Sequence, residues 1–458
     1  MNKGIRDALS RIVGSTNVLS SPEDLYPYSL DASIQYRAMP AFVVRPHTTQ
    51  EVAEIVALAN REKTPMLPRG GGTNLVGGAV PAEGGIVLDL TGMNKILEIN
   101  PTDLRCDVEA GVIHSDLENE LGKLGLFWPP DPGSSESCTM GGVLSMNAGG
   151  MRALKYGTTR DWVLGLKVVL PTGEIIRTGA TTLKSNVGYD LTRLIVGSEG
   201  TLGVITEASL KIRPLPEIAS RLSAFFDEME RAGAAVSKIF QSGVTPVIVE
   251  LMDRNIIRGV NEWLHRGFPE TEAYMLIDLD GTKEEVENTV KKVEGILREA
   301  GAKDVKLAAS KEDMEELYVI RREGAAALPR VTEKMNITHD FCVPLSKLPE
   351  AFQKVRELAE RWNIPVAILS HAGDGNIHPI FSVDLKDPDE VKRAKELNAE
   401  ICRMALKLGG TISGEHGIGL DKAELMGEEC SEDVLRMMRS IKRVFDPNNI
   451  MNPGKMGV

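Results

Sequence analysis

The chain has 458 residues, with 53 Lys+Arg against 65 Asp+Glu, for a net charge of −12. A composition of 42% hydrophobic and 26% charged residues is that of a globular protein long enough for roughly two to three domains, and the negative charge gives a nucleic-acid role no electrostatic support. The five cysteines form no C-x-x-C, which argues against an iron–sulfur cluster or a structural zinc in this chain and fits a reducing compartment.

No apolar run of about 18 residues offers a membrane span. The segment MNKGIRDALSRIVGS lacks the apolar stretch of a secretory signal. AFVVRP (41–46) reads as a strand. Thr48 and Glu51 have capping-box spacing, and Val52, Ile55, Val56 and Ala59 follow as one buried helical stripe. A short strand then runs into a glycine loop over 64–80. Residues 84–90 and 105–112 read as strands, 115–125 as a helix ended by glycine, and 164–179 as a hairpin turning at PTGE. Residues 201–214 form a strand pair or one long strand. Pro214 and Pro216 mark a boundary, beyond which longer amphipathic helices (282–301, 311–328, 345–362, 389–410) alternate with strands in RLSAFF, TPVIVELM, EAYMLIDLD and PVAILS. That pattern predicts an α+β unit, a sheet with helices on one face. The last fifty residues hold an EHG turn, a helix near 431–444 and the tail FDPNNIMNPGK.

Three segments are rich in glycine and small hydroxyl residues: PRGGGTNLVGG, PPDPGSSESCTMGGVLSMNAGG (129–150) and VGSEGTLGVIT (196–206). Gly70, Gly71 and Gly72 leave backbone N–H groups able to converge on an anion, with Thr73 and Asn74 adding side-chain donors. Leu75 breaks the G-x-G-x-x-G pattern and no G-K-[ST] follows, so NAD and ATP are not expected at these loops. Three such loops suggest one long ligand threaded between them, as a dinucleotide with a ring system would be. Three of the seven histidines fall in the glycine-rich turns SHAGDGNIHP (370–379) and SGEHGIG (413–419). His371, His378 and Glu415 are metal-ligand composition, with His416 left over beside the metal as a base. Because Glu415 and His416 are adjacent, their side chains are expected to diverge.

These motifs, with YGTTRDWVLGLKVVLPTGE, GYDLTRLIVGSEGTLGVIT and DPNNIMNPGK in the same order, give the chain a clear family likeness from about residue 20 to 456. It resembles the FAD-dependent D-2-hydroxyacid dehydrogenases of the vanillyl-alcohol-oxidase-type flavoproteins, in particular the glycolate oxidase FAD subunits and D-lactate dehydrogenases. The resemblance implies an α+β fold: a two-subdomain FAD-binding domain (1–215), an α+β substrate or cap domain with an antiparallel sheet (216–410), and a C-terminal segment (411–458) returning to the FAD and active site. It implies that Pro68, Arg69, Gly70, Gly71, Gly72, Thr73, Asn74, Gly77 and Gly78 cradle the pyrophosphate. Pro132, Gly133, Ser134, Thr139, Gly142, Ser145 and Asn147 would continue along the flavin. The backbone at Glu199, Gly203, Val204 and Ile205 would hold the adenine half, and Asn452 would return to the flavin. It further implies that His371, His378 and Glu415 bind one divalent metal (zinc, iron or manganese), that His416 is the catalytic base, and that Arg321 pairs with the substrate carboxylate. Arg322 lies about 100° away on the same helix and cannot share that pocket.

Relatives that oxidise 2-hydroxyglutarate carry polar residues where this chain has Thr338 and Ile380, which favours a small monocarboxylate. His339 reads either as pocket lining or as a strand histidine bonded locally. No histidine lies between His47 and His114, so FAD is expected to be non-covalent, and Cys138 reads as a small buried cysteine. The implied reaction oxidises D-lactate or glycolate to the 2-oxo acid by hydride transfer to FAD. Electrons would pass to an iron–sulfur subunit, an electron-transfer flavoprotein, a quinone or oxygen, in a homodimer or hetero-complex. The expected location is the cytoplasm, with membrane association only through a partner. Alternatives are D-2-hydroxyglutarate dehydrogenase, a flavin relay subunit without substrate chemistry, and a flavin-free metallohydrolase.

Overall fold

A computed structural model describes residues 3–458. The chain divides into two compact units. The first comprises residues up to Gly150 with Gly157–Leu215 and Glu415–Val458; the second comprises Met151–Tyr156 and Pro216–Gly414. Together they are the expected α+β mixture of helices and largely antiparallel sheets.

The first unit holds two larger sheets and a two-stranded one, Leu126–Phe127 with Arg213–Pro214. Phe42–Val44, Ile86–Asp89 and Met66–Arg69 pair in parallel, and Val18–Leu19 pairs antiparallel to Phe42–Val44. The helix Thr49–Arg61 begins with the capping box that Thr48 and Glu51 encode. It buries Val52, Ile55, Val56 and Ala59 on Val44, Ile86 and Leu88, the stripe read from the sequence. The second sheet is five-stranded and antiparallel, in the order Ile96–Asn100, Arg105–Glu109, Val204–Lys211, Val163–Val169, Ile175–Gly179. Residues 201–214 therefore form one long strand followed by a two-residue strand at Arg213–Pro214. The tail bridges Met451 in parallel to Met66.

The second unit is built on an eight-stranded sheet whose central strands are Ile218–Phe226, Ala273–Gly281, Ile248–Asp253, Val366–His371 and Asn376–Val383. Helices cover both faces, not one. Alternate strand residues such as Ala224, Leu251, Met275 and Phe381 face the helices Met229–Gln241, Lys283–Glu299, Leu348–Trp362 and Pro388–Lys407. The intervening residues Phe225, Met252, Tyr274, Leu369 and Ile380 face Arg254–Leu264 and Lys311–Thr332. Both faces are apolar because the strands are nearly continuous hydrophobic runs, which demand cover on each side.

Two boundaries differ from the sequence reading for identifiable reasons. The helix expected to stop at 328 runs through Pro329 to Thr332. Proline at 329 cannot donate to the Ala325 carbonyl, and Asn336 Nδ2 donates to that carbonyl instead, at 2.7 Å. The segment 370–379 is not a single glycine turn. His371 ends one strand and His378 lies inside the next, with only 372–375 turning. Pro379 is tolerated in that inner strand because it falls in the break between its pairings with Phe341–Cys342 and Met335–Thr338.

Candidate functional site

In the first unit the strand Met66–Arg69 delivers Pro68 and Arg69 to the loop 70–79. A Cβ on Gly70 would lie 2.0 Å from Thr139 Oγ1, and one on Gly71 would lie 2.1 Å from the Ser137 carbonyl oxygen. The loop is thus pressed onto the segment 129–150 at a distance only glycine permits. Arg69 is buried and donates from Nη1 to the Ala79 carbonyl at 2.6 Å. Asn74 was expected to offer donors to an anion. Its Oδ1 accepts from the N–H groups of Val76 (2.9 Å) and Gly78 (2.7 Å), and its Nδ2 donates to the His416 carbonyl at 3.4 Å, so its amide organises the loop.

On the second segment Ser134 O accepts the Cys138 N–H at 2.8 Å, after the turn that holds Pro132 and Gly133. A Cβ on Gly133 would meet nothing within 4 Å. Burial pushes the Cys138 thiol up, consistent with an inert buried cysteine. Thr139 caps the helix Met140–Met146 by accepting from Gly142 N–H. Ser145 O accepts the Glu199 N–H at 2.8 Å, and Asn147, left-handed at the helix end, accepts from Arg160 N–H at 2.8 Å. Gly203, Val204 and Ile205 open the strand Val204–Lys211. Asn452 Nδ2 donates to the Glu199 carbonyl at 2.7 Å and the Gly78 carbonyl at 3.1 Å. Loops far apart in sequence therefore converge on Asn452. These glycine-rich loops form a wall of the kind that a dinucleotide pyrophosphate can meet through backbone N–H groups.

Glu199 has a further place in this unit. Its side chain is buried, and its oxygens accept the N–H groups of Ile418 (2.7 Å) and Gly419 (2.8 Å). Burial raises its carboxyl pKa against the lowering effect of those two bonds. The EHGIG turn is thus anchored just after His416. Glu415 Oε2 accepts the Gly150 N–H at 2.9 Å. The expected divergence of Glu415 and His416 is not seen, since His416 Nε2 lies 3.8 Å from Glu415 Oε1.

In the second unit, period-two alternation puts Glu250, His371, His378 and Ile380 on the sheet face shared with Met252 and Leu369, toward the helix Lys311–Thr332. The His371 and His378 rings meet edge-on with centroids 4.9 Å apart. Arg321 turns inward from the helix and donates from Nε to Glu250 Oε2 at 2.5 Å, whereas Arg322 is exposed and pairs with Glu315 and Glu323. Thr338 and Ile380 are direct cross-strand partners. His339 is buried against Phe381, ring centroids 5.0 Å apart, and its backbone N–H donates to the Pro379 carbonyl. The chain leaves this unit through Gly414, whose N–H Asp340 accepts at 2.7 Å, and Glu415 is the next residue. His371 and His378 thus present two imidazoles side by side on one sheet face. Two imidazoles and one carboxylate are a fitting donor set for a divalent cation and leave coordination positions open.

Sequence reading missed Glu250 and Asp340. Glu250 is wholly buried between His371 and Arg321. Burial alone would raise its pKa, but His371 and Arg321 outweigh that and hold it below the ordinary glutamate value. The available signal was a carboxylate in the middle of the apolar strand TPVIVELM, since an acid is almost never fully buried unless paired.

The FAD linked oxidase C-terminal domain family matches residues 215–456, and the FAD binding domain family matches residues 40–179. The chain is 40% identical to glycolate oxidase subunit GlcD of Bacillus subtilis over 100% of its own length and 97% of that protein's. It is 37% identical to a D-lactate dehydrogenase of Archaeoglobus fulgidus, covering 98% of both chains. Among solved structures, 4-ethylphenol oxidase from Gulosibacter chungangensis superposes with a TM-score of 0.80 at 17% identity, over 99% of this chain and 96% of that one, a likeness of fold.

Proposed function

The chain belongs to the FAD linked oxidases, and from that premise we propose that it oxidises a small D-2-hydroxy acid, D-lactate or glycolate, to the 2-oxo acid. The observation that carries this reading is the pair of imidazoles, His371 and His378, held edge-on on the sheet of the second unit, in a chain whose first unit has a glycine-rich dinucleotide wall. In this reading residues 1–215 hold non-covalent FAD, 216–410 recognise the substrate, and 411–458 return to the flavin.

His371, His378 and Glu415 hold a divalent metal, with zinc, iron and manganese all compatible with these donors. When bound, the metal supplies Lewis acidity to the substrate hydroxyl and FAD supplies a hydride acceptor. Arg321 pairs with the substrate carboxylate. Its Nε is held by Glu250, so the carboxylate is met by the terminal Nη nitrogens. His416 takes the hydroxyl proton as general base. Glu199 and Asp340 pin the backbone on either side of the Glu415-His416 pair. Ile380 opposite Thr338 offers no cation to a second carboxylate, which favours a short monocarboxylate. Electrons leave through an iron–sulfur subunit, an electron-transfer flavoprotein or a quinone. Several relatives carry the name of a subunit, which supports a hetero-complex. No helix among the described residues is long and apolar enough to cross a membrane.

The test is turnover of the yellow, FAD-loaded protein with an artificial dye acceptor against D- and L-lactate, glycolate and D-2-hydroxyglutarate. Turnover of D-lactate or glycolate well above D-2-hydroxyglutarate supports the reading. A preference for the dicarboxylate removes the specificity argument, and FAD that stays with the denatured chain removes the non-covalent one.

A further inference from the structure

Glu250 belongs to neither the proposed ligand set nor the proposed substrate contacts, yet it touches one residue of each. Its Oε1 lies 2.6 Å from His371 Nδ1 and its Oε2 lies 2.5 Å from Arg321 Nε. Its relative exposure is 0%. Glu250 and His371 are direct partners in the antiparallel pairing of their strands, so the sheet register, rather than a flexible loop, sets this contact. A fully buried carboxylate is destabilising unless charged or donating partners satisfy it. Here both oxygens are engaged, each by a different functional side chain.

We propose that Glu250 is a positioning residue that couples metal binding to carboxylate recognition. By accepting from Nδ1–H it fixes the neutral His371 tautomer whose Nε2 carries the lone pair, the nitrogen then available to a cation. By holding Arg321 Nε it fixes the guanidinium plane, so that one edge is committed and the Nη end is aimed. One carboxylate thus orients a metal ligand and the substrate's cationic partner, and an error at either is transmitted to the other. This inference rests on the metal-dependent reading above.

The experiment uses the full FAD-loaded chain and its Glu250→Gln variant. Glutamine keeps the shape but has one acceptor, so it can satisfy His371 or Arg321 and must turn its amide N–H₂ toward the other donor. Titration with Zn²⁺ or Mn²⁺ alone, followed by calorimetry, is expected to show affinity lowered roughly 10–100-fold, as for loss of an outer partner of a ligating histidine. The KM for the hydroxy acid at saturating metal is expected to rise as well, which loss of a remote structural contact would not cause. In a His371→Ala background, Glu250→Gln is expected to cause no further loss of metal affinity. Equal, additive losses in the two backgrounds would overturn the proposal. If Glu250→Gln does not fold, ¹⁵N-histidine spectra of the metal-free native chain above neutral pH decide, with the His371 signal assigned by its absence in His371→Ala. A proton on Nδ1 is expected, and a proton on Nε2 overturns the proposal. A native chain that takes up no divalent metal refutes the metal-dependent reading itself, whereas metal bound equally by both proteins refutes only the role of Glu250.

Discussion

Gly71→Ala is the sharpest perturbation of the dinucleotide wall. The new Cβ would lie 2.1 Å from the Ser137 carbonyl oxygen, where real Cβ contacts essentially never fall below 3.0 Å. The two loops must therefore separate by about 1 Å, and the obstacle is backbone, which cannot rotate away as a side chain can. Overpacking of this kind costs about 1–3 kcal/mol. Expressed in ligand affinity, that is roughly 5- to 150-fold, because the shift misaligns the N–H groups proposed to meet the pyrophosphate. The assay is titration of apo-protein with FAD by quenching of flavin fluorescence, alongside thermal melting. Gly133→Ala is the companion. Its Cβ meets no protein atom within 4 Å, so a loss of FAD affinity with an unchanged melting temperature reads a clash with the ligand itself. If Gly71→Ala binds FAD within twofold of the native chain at unchanged stability, the wall does not hold the cofactor.

Chelation, or His378→Ala, is expected to abolish turnover while most FAD stays bound, because the histidines and the glycine loops are on different segments; full activity in protein shown by metal analysis to be metal-free contradicts this. His416→Asn is expected to keep metal and FAD but slow flavin reduction by roughly 10²–10⁴-fold, whereas Glu415→Gln is expected to weaken metal binding; the opposite pattern of metal loss reverses their roles. Asp253 caps the helix Arg254–Leu264 and is buried, and burial pushes its carboxyl up to about 6. Between its ordinary value of 3.8 and that raised value the folded state binds more protons than the unfolded one. This residue's contribution is therefore fully present below the unfolded pKa and falls away as pH rises through the folded pKa. Asparagine keeps the cap without the charge, so Asp253→Asn is expected to gain on the native chain between about pH 4 and 6, by about 3 kcal/mol. Denaturant melts across that range check it, and a constant difference between the two proteins refutes it.

Much of this site was legible because its chemistry is carried by residue types that are rare here or confined to marked turns. Seven histidines in the chain made His371, His378 and His416 conspicuous, and runs of glycine announced loops whose close approach is visible at Gly70 and Gly71. The helix Thr49–Arg61 was legible from its cap and stripe together. The helices Met229–Gln241 and Arg254–Leu264 were not singled out, although they help cover the two sheet faces. His378 reads from the sequence as part of a glycine-rich turn, whereas it lies inside a strand in which only the break in pairing makes Pro379 tolerable. Glu250 was invisible for a different reason. Its partners come from residues 71 and 121 positions away, and no local pattern encodes a cross-strand pairing of that range.

The proposed reaction takes hydride from the α-carbon of a small D-2-hydroxy acid to FAD. The most direct measurement is anaerobic stopped-flow mixing of the FAD-loaded, metal-replete protein with D-lactate, L-lactate and D-lactate deuterated at C2. Flavin absorbance is expected to bleach in a single turnover with the D-isomer, far more slowly with the L-isomer, and with a primary isotope effect for the deuterated substrate. Flavin that stays oxidised with D-lactate and with glycolate at any metal concentration would contradict it.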